Sequence, residues 1–181
     1  MGTLVLLLRG INVGGHNRLP MGDLRAVVAG LGFDDVRTHL QSGNVVCAGA
    51  GRPVEVADAL SGAIAEELGL RVPVVARTGA EWGALVAANP FAGVEEDPKK
   101  LHVTFLADVP DPDRVGGLEA QAGEFAPDRF VVRGPEVYLH FPGGYADTPL
   151  QNAVLEKRLG QVATTRNWRT VTALAALAGL T

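Results

Sequence analysis

A single cysteine, Cys47, stands among 181 residues. An internal disulfide framework and the multi-cysteine zinc patterns are thereby excluded, and a reducing compartment, the cytoplasm, is the expected location. Long apolar runs are missing too. The opening run, Leu4 to Leu8, has no basic region before it, and its brevity fits neither a signal peptide nor a membrane span, so no membrane association is expected. Aromatic residues make up 6% of the chain, and Leu4 to Leu8 and Asn44 to Cys47 hold none of them. Together with a net charge of −4, this disfavours nucleic acid as a partner, because an RNA-recognition sheet stacks bases on strand aromatics.

Acids are absent from both ends. Residues 1 to 22 carry only Arg9 and Arg18, and residues 157 to 181 carry Lys157, Arg158, Arg166 and Arg169. All 20 acids lie between 23 and 156, against ten bases, so the ends are cationic and the middle strongly anionic. Chance placement of solvated charges is one reading. A cationic surface that meets an anion is the other.

What is present suffices for a folded core: 47% of residues are hydrophobic and 20% charged. Leu4 to Leu8 reads as a buried central strand. Pro20 reads as a first helical residue, with Met21, Leu24, Val27, Val28 and Leu31 at helical spacing and Gly32 as the left-handed stop. Val36 to Gln41 and Asn44 to Cys47 read as strands flanking the turn Ser42-Gly43, Pro53 opens a second helix, and Arg71 to Arg77 is a fourth strand. The order βαββαβ predicts an α+β fold with a ferredoxin-like first half. Thr78 then caps a third helix.

From Leu101 the plan restarts. A strand to Leu106, a helix capped by Asp111 and opened by Pro112, and strands at Phe130 to Arg133 and Val137 to Phe141 follow in turn. A helix is expected with Thr148 as cap and Pro149 as first residue, then a short strand at Gln161 to Thr164 and a last helix capped by Thr165. The expected organisation is a half-domain over residues 1 to 90 and a related one over 91 to 181.

Three polar stretches sit where strands hand over to loops. In Arg9-Gly10-Ile11-Asn12-Val13-Gly14-Gly15-His16-Asn17-Arg18 the glycines permit positive φ and an anion-binding concavity of amides, though neither a P-loop nor a dinucleotide fingerprint is present. A structural turn held by Asn12 and Asn17 explains the same residues. Gln41-Ser42-Gly43-Asn44 carries more amides than a turn needs. In Ala163-Thr164-Thr165-Arg166-Asn167-Trp168-Arg169-Thr170, arginines at a helix start call for a nearby anion, either a carboxylate of the protein or a bound ligand. Trp168 is expected in the core. Cys47 reads as a buried small hydrophobe, and His39, His102 and His140 lack metal-site spacing. No metal and no cofactor are called for. His16 is the one histidine placed for acid-base work.

Together, Leu7 to Gly15, Leu19-Pro20-Met21, Gln41 to Asn44 and Ala163 to Val171 resemble the signature segments of a bacterial family named as domain of unknown function 1697. The resemblance implies a ferredoxin-like first half and a related second half, and no established activity. Members often carry a Ser-Lys pair where this sequence has Asp147-Thr148-Pro149, so no role for that lysine carries over.

The sequence therefore points to an uncharacterised protein that binds a small anionic ligand, phosphate-bearing in the first instance. Arg9, Arg18 and Arg166 are the charge partners, and Asn12, Gly14, Gly15, Gln41, Ser42, Asn44, Thr165 and Asn167 shape or orient the site. Convergence of the three stretches is expected. An enzyme of acyl or phosphoryl transfer using His16 or Ser42 is the alternative, ranked second because no nucleophile and base pair off; a nucleic-acid module ranks low as the third class, and a protein-interaction module is left open. Oligomeric state is left open.

Overall fold

The computed structural model describes residues 2 to 180. It is an α+β protein with two antiparallel four-stranded sheets and two halves of similar plan. By contacts the chain divides into two compact units, one running to Ala84 and resuming at Leu174, the other Leu85–Ala173. Among the described residues no helix is long and apolar enough to cross a membrane.

In the first unit, β1 (Gly2–Leu8), α1 (Met21–Gly30), β2 (Asp34–His39), β3 (Asn44–Gly49), α2 (Pro53–Leu68) and β4 (Val74–Thr78) form a sheet of order β2-β3-β1-β4. β1 is antiparallel to both neighbours, with Leu7 opposite Asn44 and Leu4 opposite Thr78. Its apolar run is explained by burial on both faces. Leu4, Leu6 and Leu8 join Leu24, Val28, Leu60 and Ile64 of the helices in one core, while Val5 and Leu7 are buried on the other face. A truncation such as Leu60→Ala removes apolar volume that only partly collapses, at a cost of about 2–5 kcal/mol.

Local signals account for most boundaries. Gly69 ends α2 at φ +67, and Gly32 sits just past α1 at φ +86. Pro20 is the residue before α1, in an extended conformation, rather than its first helical residue. β4 starts at Val74 and not at Arg71, because Pro73 has no N–H for the ladder. β2 runs Asp34–His39, two residues earlier at each end than its apolar pattern suggested, and the turn that follows is Leu40 to Gly43 rather than a two-residue hairpin. Leu40 and Gly43 both take positive φ, at +60 and +76. Thr78 caps α3 (Gly79–Ala87) reciprocally: its hydroxyl accepts from Glu81 N at 3.2 Å, and Glu81 Oε2 accepts from Thr78 N at 2.7 Å.

In the second unit, β5 (Leu101–Leu106), α4 (Pro112–Glu119), β6 (Arg129–Arg133), β7 (Glu136–His140), α5 (Asn152–Leu159) and β8 (Ala163–Asn167) repeat the plan in the order β6-β7-β5-β8. Leu106, Leu139 and Phe141 pack with Leu118, Leu155 and Leu159. Asp111 caps α4, accepting from Asp113 N at 2.8 Å. Two expected caps are corrected. Thr148 does not start α5, because its hydroxyl donates to Asp128 at 2.6 Å and accepts from Leu150 N, and the helix begins four residues later. Thr165 does not cap the last helix, α6 (Trp168–Leu177), because pairing with β5 carries the strand on to Asn167. Asn167 Oδ1 accepts from Thr170 N at 2.9 Å and caps α6 instead. Trp168, its first residue, is half-buried and not a core side chain.

Candidate functional site

In the first unit, the loop after β1 and the turn before β3 lie at the same end of the sheet, because the two strands are antiparallel neighbours. Leu8 N donates to Gly43 O at 2.8 Å, and Arg9 N to Pro73 O at 2.9 Å. Asn12, at φ +54, ties three segments together. Its Nδ2 donates to Leu19 O at 2.9 Å and Gln41 O at 2.7 Å, and its Oδ1 accepts from Leu19 N at 2.9 Å. Asn17 Nδ2 donates to Gly10 O at 3.0 Å. Between them Val13 to His16 is a hairpin turn closed by His16 N to Val13 O at 3.1 Å, with Gly14 and Gly15 at φ +59 and +80, as a type I′ turn requires.

The amides of this end are thus fasteners. Asn44 is fully buried, and its Nδ2 donates to His39 O at 2.8 Å and Ser42 Oγ at 3.0 Å. The surplus that stood out in the sequence is used to bind loop to loop. Gly14, Gly15, His16, Arg18 and Gln41 are left exposed, and Arg9, Asn12 and Ser42 are half-buried. Ile11 and Leu19 root the loop in the core at 1% exposure each. Cys47 is buried with its thiol pushed up to about 11 by desolvation, so it is no thiolate nucleophile near neutral pH. A cavity of about 430 Å³ at the opposite end of the same sheet, lined by Gly2, Gly49, Thr78 and Leu180 among others, includes none of the residues expected to bind the ligand.

In the second unit, Thr165, Arg166 and Asn167 end β8, with side chains that alternate across the sheet. Thr165 donates to Asn152 Oδ1 at 2.6 Å. Its single proton being used there, the 2.6 Å contact with Thr104 has Thr104 as donor. Thr165 also interacts with Tyr145, whose hydroxyl is pushed upward by burial, opposed by Thr165 and Arg166. The Tyr145 ring stacks on His102, centroids 4.9 Å apart. Burial drives the His102 imidazole down to about 4, the Lys100 carbonyl opposing. The chain His102, Tyr145, Thr165, Asn152 escaped sequence reasoning. Its one signal was the polar His102-x-Thr104 face inside an apolar strand.

Arg166 is 9% exposed; its Nη1 donates to Thr164 Oγ1 at 2.8 Å and Thr165 O at 2.9 Å. Burial lowers its guanidinium to about 10, with Tyr145 opposing. Among the described residues no group of three or more His, Cys, Asp or Glu side chains is placed to hold a metal ion.

The structure is similar throughout to that of a conserved bacterial protein from Streptococcus pneumoniae, with a TM-score of 0.78 at 21% identity and 98% of each chain covered. At that identity the likeness speaks for the fold. No curated protein is matched. The family model described as protein of unknown function, DUF1697, matches residues 1–138. The chain that carries the fastened glycine loop in its first sheet belongs to the DUF1697 family.

Proposed function

We propose that the protein binds a small anionic ligand, with phosphate as the leading chemistry, and that the end of the first sheet bearing Arg9, Arg18 and the Gln41 to Asn44 turn takes part. The observation that carries this reading is the preorganised loop: Asn12 holds residues 12, 19 and 41 in one piece. A loop already fixed by such bonds pays little ordering entropy when a ligand arrives. Arg18 is exposed on that loop, and residues 1 to 22 contain no acid to neutralise it. In the second unit, Arg166 is the corresponding buried cation, held by a hydroxyl and a carbonyl. We place the protein in a bacterial cytoplasm and assign each half the ferredoxin-like arrangement, which the two sheet orders support.

Thermal-shift titration with inorganic phosphate, a sugar phosphate and a dicarboxylate tests the proposal, since a ligand that binds only the folded state raises Tm by mass action. A rise that grows with the logarithm of ligand concentration is expected for at least one of them, larger than that given by chloride at equal ionic strength and reduced in Arg18→Ala while the unliganded Tm stays near wild type. No rise beyond the chloride control with any of the three would overturn the reading.

A further inference from the structure

A second polar cluster lies wholly in the second unit, away from the residues considered so far. His140 of β7 is 7% exposed and contacts two charged groups, Arg129 and Glu95. Arg129, its partner across the β6–β7 ladder, approaches Nδ1 with Nη2 at 3.1 Å and Nε at 3.4 Å. Glu95, from the segment before β5, meets Nε2 at 3.1 Å, and Lys100 reaches the same Glu95 oxygen at 3.6 Å. Phe91 closes the group, 5.7 Å from the imidazole centroid and 5.3 Å beneath the Arg129 guanidinium. Along the same sheet face lie Arg133 and Glu136, with Arg166 on β8; Glu96, Asp97 and Lys99 share the Glu95 segment.

A guanidinium has donors and no acceptor, so an imidazole nitrogen facing it offers its lone pair. The other nitrogen then carries the hydrogen, which matches a carboxylate acceptor. We propose that Glu95, His140 and Arg129 form a proton-operated latch: neutral His140, protonated at Nε2, holds Arg129 through Nδ1 and the segment before β5 through Glu95. A second proton lands on Nδ1, where it faces the guanidinium donors. Arg129 is expelled from the ring, while the Glu95 contact becomes an ion pair. The two arms respond in opposite directions to one proton, so acidification loosens the β6 edge strand and tightens the segment at residues 91 to 100. Glu95 is suited to the holding arm. The Asp97 amide first, then His140, keep its carboxyl down at about 2, so it stays ionised across the range in which imidazoles titrate.

The test is long-range proton–nitrogen NMR of the imidazoles in the unaltered protein, followed with pH. Expected is the Nε2–H tautomer for neutral His140, and on its protonation a rise of tenfold or more in the hydrogen-exchange rate of Arg129 Nε–H relative to that of free arginine at the same pH. The Nδ1–H tautomer, or an Arg129 Nε–H rate indifferent to His140 protonation, would overturn the latch. Arg129→Gln provides the second reading. Glutamine presents either an amide donor or an acceptor to Nδ1, so the acid-induced exchange change along β6 should disappear, and its persistence would assign that change to another group.

Discussion

At the residue scale, the candidate site owes its shape to backbone conformations that few side chains tolerate. Gly43 sits at φ +76, and an added Cβ would lie 2.7 Å from both Leu8 Cβ and Ile11 Cδ1. Gly15 has a similar φ, +80, with open space around it. The two glycines therefore separate conformational strain from close packing. Gly15→Ala should cost only the left-handed strain, about 1–2 kcal/mol. Gly43→Ala adds overpacking against a β-carbon that cannot swing away, for a total of about 3 kcal/mol or more. Urea unfolding of the two variants checks the order, and equal losses would mean that the turn relaxes freely. The same scale shows what sequence hides. Asn12 and Asn44 are legible as polar turn residues, but their partners, Gln41 O and His39 O, are main-chain atoms whose placement depends on strand pairing.

Elements are where the sequence was read best, and its two failed helix caps share one cause. Pro112 and Asp111, Pro53, Gly69, and Thr78 with Glu81 mark helix ends because capping is chemistry within a few residues. Thr148 and Thr165 carry the same local signal and cap no helix, because distant segments hold them: Thr148 donates to Asp128 while serving only the turn at Leu150, and Thr165 lies in the β5–β8 ladder with its hydroxyl between Thr104 and Asn152. Tertiary partners override a local preference worth about 1 kcal/mol. It follows that Asn167→Ala should destabilise the protein by about 1 kcal/mol through the lost cap, with Asn167→Ser restoring most of it. Thr165→Val should cost more, about 1–3 kcal/mol, because it strands the Thr104 and Asn152 groups that Thr165 satisfies. Chemical denaturation at neutral pH compares the three, and a negligible loss for Asn167→Ala, or a loss that serine does not restore, would contradict the assignment of the α6 cap.

For the whole molecule, the restart of the plan near residue 101 was legible because strand and helix periodicities repeat in the same order, and both sheets bear it out. The interaction clusters were not. His102 and His140 look like solitary strand histidines until the ladders bring Tyr145, Arg129 and Glu95 to them. His102 also shapes global stability. Its folded-state value near 4 lies below the ordinary 6.5, so the unfolded chain takes up the proton first as pH falls. Stability contributed by neutral His102 is complete above pH 6.5 and is lost between 6.5 and 4, by up to about 3 kcal/mol. Thermal melts across that range should show the decline, with a shallower slope in His102→Phe. An unchanged slope would assign the acid sensitivity elsewhere.

The central claim, that the fastened end of the first sheet receives an anion, is tested most directly by amide NMR during titration with inorganic phosphate. The account expects saturable shifts concentrated on the backbone amides of Arg9 to Arg18 and Gln41 to Asn44. Non-saturating shifts, or shifts confined to the lysines and to amides outside those stretches, would contradict it.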